Sequence, residues 1–216
     1  MATQLPVRRA STSTRAARPS YPDRWDLTHL AKGPSKEIDS TLSQLETVVA
    51  QIEAARPTLT PSITGQDFQA LLTLSETFAQ GSSKLGAYAY LRFSENTKDA
   101  EARSLKARVE ERLTALSNRL LFFDLWWQSV DDTNAARLMA DAGDFRYHLE
   151  TIRRFKPHTL SEPEEKIVHL KNVTGRSAVH TFYDVVTNGL TFTLTVGGKK
   201  KSVNREGLMA YVRSQK

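Results

Sequence analysis

No cysteine occurs in the 216 residues, which excludes disulfides and thiolate metal sites and fits a reducing compartment. No apolar run approaches the roughly 18 residues of a membrane span, and no hydrophobic segment near the N-terminus would serve as a secretory signal. These absences point to a cytoplasmic protein with no membrane partner. Catalytic motifs are missing as well. The five histidines, His29, His148, His158, His169 and His180, contain no His-Glu-x-x-His pair, which would place two imidazoles one helical turn apart on a metal. There is no Gly-x-Ser-x-Gly. Gly197-Gly198-Lys199 is not a phosphate loop, because the position of the required earlier glycine holds Thr193. No catalytic, cofactor-binding or metal residue is assigned from the sequence.

Charge is present in plenty, at +6 net with a pI near 9.6, and its placement decides its meaning. Arg8, Arg9, Arg15 and Arg18 lie in residues 1–20, which hold no acid and few large apolar side chains. Such a stretch cannot bury enough surface to offset its ordering entropy, so 1–20 reads as a disordered basic tail. An organelle transit peptide has a similar composition but would need an amphipathic stripe, and none is seen. Lys199 to Lys201 fall in a turn, and elsewhere charges mix along helix faces. No aromatic-interleaved basic groove emerges, so no nucleic-acid partner is expected.

The remaining chain is patterned for helices. Trp25, Leu27 and Leu30 are the first residues able to anchor it. Ile38, Leu42, Leu45, Val49 and Ile52 form a stripe that ends before Pro57, and Thr64 with Asp67 caps a second helix. Gly81 is expected to break that helix, with a new one from Ser83 to Asn96. On this third segment Tyr88 and Tyr90 point apart, one to the core and one to the surface. The longest helix is expected to follow Asp99, with Ala102, Leu105, Val109, Leu113, Leu116, Leu120, Phe123, Trp127 and Val130 as its seam. At 1.5 Å per residue it would span roughly 45 Å as a central spine. Neighbouring helices of the same chain can cover that seam; a dimer is the rival reading.

A short helix follows, carrying Ala135, Leu138 and Met139 and ending at Gly143. Phe145, Leu149, Ile152 and Phe155 then describe one helix face, and Pro157 ends it near Phe155. Ser161 and Glu164 form a capping box for a helix starting at Glu162, with Pro163 in its first turn. This helix is expected to stop near Asn172. Glu165 and His169, one turn apart, are read as a surface contact rather than metal ligands, and Lys156 and His158 as solvated junction residues. Another helix is expected from Thr174 to about Thr187. Leu190, Phe192, Leu194 and Val196 alternate before Gly197-Gly198, a hairpin signal, and Asn204 can cap a last helix.

The junction Arg153-Arg-Phe-Lys-Pro-His-Thr-Leu-Ser-Glu-Pro-Glu-Glu-Lys resembles one in the N-terminal region of oligoendopeptidase F, a branch of the thimet-oligopeptidase-like zinc metallopeptidases. Four further stretches match in order: Tyr21-Pro-Asp-Arg-Trp-Asp-Leu-Thr-His-Leu, Ala87-Tyr-Ala-Tyr-Leu-Arg-Phe-Ser-Glu-Asn-Thr, Thr174-Gly-Arg-Ser-Ala and Leu190-Thr-Phe-Thr-Leu. The sequence departs from the family at Val179, where a tryptophan is usual. The resemblance implies a mainly α fold, a multi-helix bundle with one long central helix and a small C-terminal β-hairpin. It implies a helical N-terminal domain over 21–188, and over 189–216 a hairpin and the start of a helix leading to an absent catalytic domain. In the family that domain holds zinc through His-Glu-x-x-His and hydrolyses short peptides, while the helical lobe helps wall the substrate channel. The implied partners are the rest of the peptidase and, through it, short peptides. Lacking the motif, this chain is not expected to catalyse alone. The alternative is a free-standing, non-catalytic helical interaction module.

Overall fold

A computed structural model describes residues 25–31 and 35–213. The basic tail, Tyr21 to Arg24 and the Gly33-Pro34 step lie outside the described residues.

Three helices form the body, namely α1 (Ser35–Ala54), α2 (Gly65–Glu95) and α3 (Ala100–Ser129). The capping chemistry read from sequence sets two of their starts. Thr64 Oγ1 accepts the Asp67 N–H at 3.1 Å, and Asp99 Oδ1 accepts from Glu101 and Ala102. A row of ion pairs fixes the relative direction of α1 and α3. Asp39 meets Arg108, Glu46 meets Arg112 and Arg119, and Glu53 meets Arg119. Both numbers rise together, so α1 and α3 run parallel, with α2 returning between them.

The expected seam of α3 is the one that is buried. Ala102, Val109, Leu116, Phe123, Trp127 and Val130 are all inaccessible, and Leu105, Leu113 and Leu120 pack against the same clusters. The stripe of α1 meets it from one side and α2 from the other. Helices of the same chain thus cover the seam that a dimer would otherwise use.

Two expectations require correction here. The body has two long helices, 31 residues in α2 and 30 in α3, because Gly81 does not break α2. A β-carbon at Gly81 would stand 2.7 Å from Leu45 Cδ2. The glycine therefore lets α1 approach α2 closely, and Leu45 is buried with Val49, Phe78 and Leu116 at that crossing. Replacing Gly81 by valine is expected to cost about 2 kcal/mol through overpacking, despite valine's better helix propensity. Urea denaturation measures this, and a stability equal to the parent would contradict the close-approach role.

Beyond α3, Asp131 caps α4 (Asp132–Ala140) through the N–H groups of Thr133 and Asn134. Gly143, at φ +53°, turns the chain into α5 (Arg146–Arg154). Ala135, Leu138 and Leu149 of these short helices close the end of the bundle over Phe68, Phe122, Phe123 and Trp127. Then come α6 (Glu162–Asn172) and α7 (Ala178–Gly189), joined by a π-helical turn at Val173–Ser177. The expected stop near Asn172 is thus replaced by a wide turn that carries the helical path on to Gly189.

Strands β1 (Thr191–Val196) and β2 (Lys199–Asn204) pair antiparallel, Phe192 opposite Val203 and Val196 opposite Lys199. Gly197 and Gly198 supply the two positive φ angles, 57° and 76°, that a two-residue hairpin turn needs. Leu190, expected on the strand face, instead follows α7 as its C-terminal cap. Asn204 Oδ1 accepts from Gly207 N and starts α8 (Arg205–Val212). The architecture is mainly α with a small hairpin, as the sequence predicts.

Candidate functional site: the α6–α7 arm

The arm begins at the junction, where each first-turn acid has a structural task. Glu164 Oε2 accepts from the Ser161 hydroxyl at 2.6 Å and its N–H at 2.9 Å, and these two bonds hold its carboxyl below the ordinary glutamate range. Glu165 Oε1 accepts the Leu160 N–H. Glu162 bonds Lys166 at 2.7 Å and Arg56 at 3.0 Å, and the Lys166 bond is the main cause of its lowered pKa. Glu165 is therefore a capping residue, and no group of three His, Asp or Glu side chains among the described residues could hold a metal.

The depressed carboxyls make α6 acid-sensitive. A carboxyl whose folded pKa is lowered contributes stability above its unfolded value, about 4.3 for glutamate, and loses it as pH falls through the folded value. Acidification below the ordinary glutamate range is expected to fray α6 at Ser161–Glu165 before the bundle melts. Backbone chemical shifts of those residues, compared with buried positions of α3, test this.

The half-buried residues of the arm include His169, Ser177, Thr181 and Asp184, and the Lys106 ammonium of α3 donates to the Thr181 hydroxyl at 3.0 Å. Together with Tyr90, Glu110, Leu113 and Val173 they line a groove of about 600 Å³ between arm and body, mixed in polarity. The opposite side is apolar and open. Ile167, Leu170, Val179, Phe182 and Val186 are 45 to 69 % exposed.

The π turn helps bring these residues together. In an unbroken α-helix at about 100° per residue, Val179 would stand half a turn round from Leu170, nine residues earlier. The extra residue taken up by a π turn removes roughly 100° of that rotation. The two halves of the apolar stripe therefore come nearer to one side, away from α3.

The histidines stay dispersed. His169 and His180 border the groove, His158 sits exposed beside Lys156 in the turn before Ser161, and His148 lies on α5. Tyr88 packs against the Leu85 cluster while Tyr90 is 51 % exposed, the division expected from their spacing. The sequence reading passed over Asp124. Its signal was an acid inside the run Phe122-Phe123-Asp124-Leu125-Trp126-Trp127, and crowding by apolar neighbours raises its carboxyl pKa, partly countered by His148. No described helix is long and apolar enough to cross a membrane.

Comparison with known proteins places the arm in context. Residues 126–192 match the family model of oligopeptidase F, a span covering the end of α3 through the start of β1. No curated protein matches the chain by sequence. Among solved structures, oligoendopeptidase-F from Enterococcus faecium superposes with a TM-score of 0.71 at 17 % identity, over 85 % of this chain and 37 % of that one. A protein described as a peptidase from Chlamydophila abortus gives 0.51 at 18 % identity, over 89 % of this chain and 33 % of that one. The chain thus spans about a third of each of these two proteins. With its fold shared and its arm matched, the chain is consistent with the N-terminal region of the oligopeptidase F family, as the five sequence stretches implied.

Proposed function

We propose that this chain is the N-terminal helical lobe of an oligoendopeptidase-F-like zinc metalloendopeptidase acting on short peptides. The observation that carries the reading is the outward apolar face of α6 and α7, which lies within the segment matched by the family model. Apolar residues left exposed on an arm whose other side already packs on the bundle are what an intramolecular interface leaves open when its partner is missing. In this reading residues 21–188 form the lobe, and 189–216 lead toward the part that holds zinc and activates water. The lobe bounds the substrate channel, admitting extended peptides and excluding folded proteins. In this reading the metal chemistry is the task of that other part.

The test is made on the protein as its source cells produce it, isolated with an antibody against α3. The expected product is well above 24.2 kDa, or is bound in fixed ratio to a second chain. It contains zinc and cleaves a quenched fluorescent oligopeptide but not folded casein-sized proteins. A free 24.2 kDa species without associated zinc or peptidase activity overturns the proposal in favour of the interaction module.

A further inference from the structure

The hairpin is a two-stranded sheet, and among the described residues no third strand joins it on either side. Its two edges differ in chemistry. β2 reads Lys-Lys-Lys-Ser-Val-Asn, and lysines guard an edge against further pairing. β1 reads Thr-Phe-Thr-Leu-Thr-Val, with neither charge nor proline, so its edge is unguarded.

The register settles which backbone groups that edge offers. A two-residue loop makes its flanking residues a hydrogen-bonded pair, and bonded and non-bonded pairs then alternate along an antiparallel ladder. Val196 with Lys199 is the first bonded pair, followed by Leu194 with Lys201 and Phe192 with Val203. The N–H and C=O groups of Thr191, Thr193 and Thr195 therefore point away from β2, and among the described residues they meet no other backbone partner. The side chains of these threonines are exposed, while Phe192, Leu194 and Val196 are half-buried on the opposite face. Lys201 shares that second face with Leu194, and its ammonium donates to the Tyr211 hydroxyl of α8 at 3.3 Å. The helix is thus seated on the apolar face, and the threonine face stays open.

Charge indicates the occupant. Residues 190–204 hold three lysines and no acid, and Lys199 and Lys200 have no ion pair among the described residues. Lys200 stands opposite Thr195 on the open face. A third strand on β1 would run about 10 Å from β2, a gap that a lysine and a glutamate side chain span together over the short Thr195.

We infer that the outer edge of β1 binds an extended acidic peptide segment as a third, antiparallel strand. Its backbone exchanges hydrogen bonds with Thr193 and Thr195, as peptides do on free sheet edges. Alternate peptide residues share the threonine face, where an acid meets Lys200. The residues between them share the face of Leu194 and Phe192, where apolar side chains fit. The inference goes beyond the peptidase reading and does not rest on it, since it concerns binding by this chain and no hydrolysis.

The test titrates the isotope-labelled full chain with N-acetyl-Glu-Val-Glu-Val-Thr-amide and follows backbone chemical shifts. Saturable shifts centred on β1 are expected, with a dissociation constant at or below about 1 mM. The Lys-Val-Lys-Val-Thr counterpart should bind at least about threefold more weakly, and Lys200→Glu should remove that preference. Methylating the amide nitrogen of the central glutamate, which faces β1, should abolish binding, whereas methylating a valine amide, which faces outward, should leave it. Thr193→Pro removes an outward N–H and no bond of the hairpin ladder. Binding should then fall at least about tenfold with the hairpin's own shifts preserved; where those shifts are lost, the two methylated peptides decide. Absence of saturable shifts, shifts centred on β2, equal affinity for the lysine peptide, or equal affinity of the two methylated forms overturns the inference. Pairing of β1 with a second copy that the peptide does not displace overturns it as well.

Discussion

Replacing Trp127 by alanine is expected to lower the unfolding free energy by about 4 kcal/mol, the upper part of the range for a buried aromatic. Trp127 is fully inaccessible, and its ring stacks on Phe68 with centroids 5.2 Å apart. Its indole N–H donates to the Leu149 carbonyl at 2.9 Å, which fastens α5 to the end of the bundle. The substitution therefore opens a cavity in the cluster that holds Phe68, Phe123 and Leu138 and also removes the bond that ties α5 to α3. Trp127→Phe separates the two effects. It keeps most of the packing and loses the donor, so about 1 to 2 kcal/mol should go with it. Urea denaturation of both variants gives the comparison. If the phenylalanine variant is as unstable as the alanine one, the hydrogen bond rather than the packing holds this end together.

Arg153→Ala is expected to cost about 3 kcal/mol, more than almost any other charged residue here would. Its guanidinium donates to the Trp127 and Val130 carbonyls at 2.9 and 2.8 Å, and to Asp132 at 2.6 Å. These carbonyls belong to the last turn of α3, which has no intrahelical donors left for them. The same group lies 5.4 Å above the Trp127 ring. Bonds from a charged donor to otherwise unsatisfied carbonyls carry most of the effect. The ion pair contributes little, because the Asp132 side chain is 99 % exposed and its partner's charge is screened there. Asp132→Ala should therefore cost only a few tenths of a kcal/mol, while Arg153→Met, which keeps the stem but not the donors, should lose nearly as much as alanine. A large loss in Asp132→Ala would reverse this ranking. With Trp127 and Arg153 both facing the α3 terminus, a double variant is expected to be non-additive.

Much of this was legible in the sequence because it is local. Asp99, Thr64 and Asn204 start helices by accepting from backbone N–H groups two or three residues on, and Ser161 by donating its N–H and hydroxyl to the Glu164 carboxylate. Gly197-Gly198 turns a hairpin through its own φ angles. The seam of α3 was likewise fixed by spacing, since a three- and four-residue apolar rhythm has one possible buried face. Of the five stretches resembling oligoendopeptidase F, the junction, Thr174-Gly-Arg-Ser-Ala and the start of Leu190-Thr-Phe-Thr-Leu fall within the matched segment 126–192.

What the sequence could not decide depends on which element comes near which. Gly81 reads as a breaker until Leu45 of a different helix is seen against it. Arg153 reads as one of several junction cations until it is found over carbonyls 23 and 26 residues away. The apolar residues of α6 and α7 look like ordinary core positions, and only the packing on α3 shows Ile167, Leu170, Val179, Phe182 and Val186 turned outward. Asp124 is one acid in an aromatic run until α2 and α5 set Glu76 and His148 around the same cleft. Capping and periodicity are properties of a few consecutive residues, so the sequence alone determines them. Close approach, the direction a face points and the grouping of charges from three helices arise only when distant segments meet, and tertiary structure alone decides those.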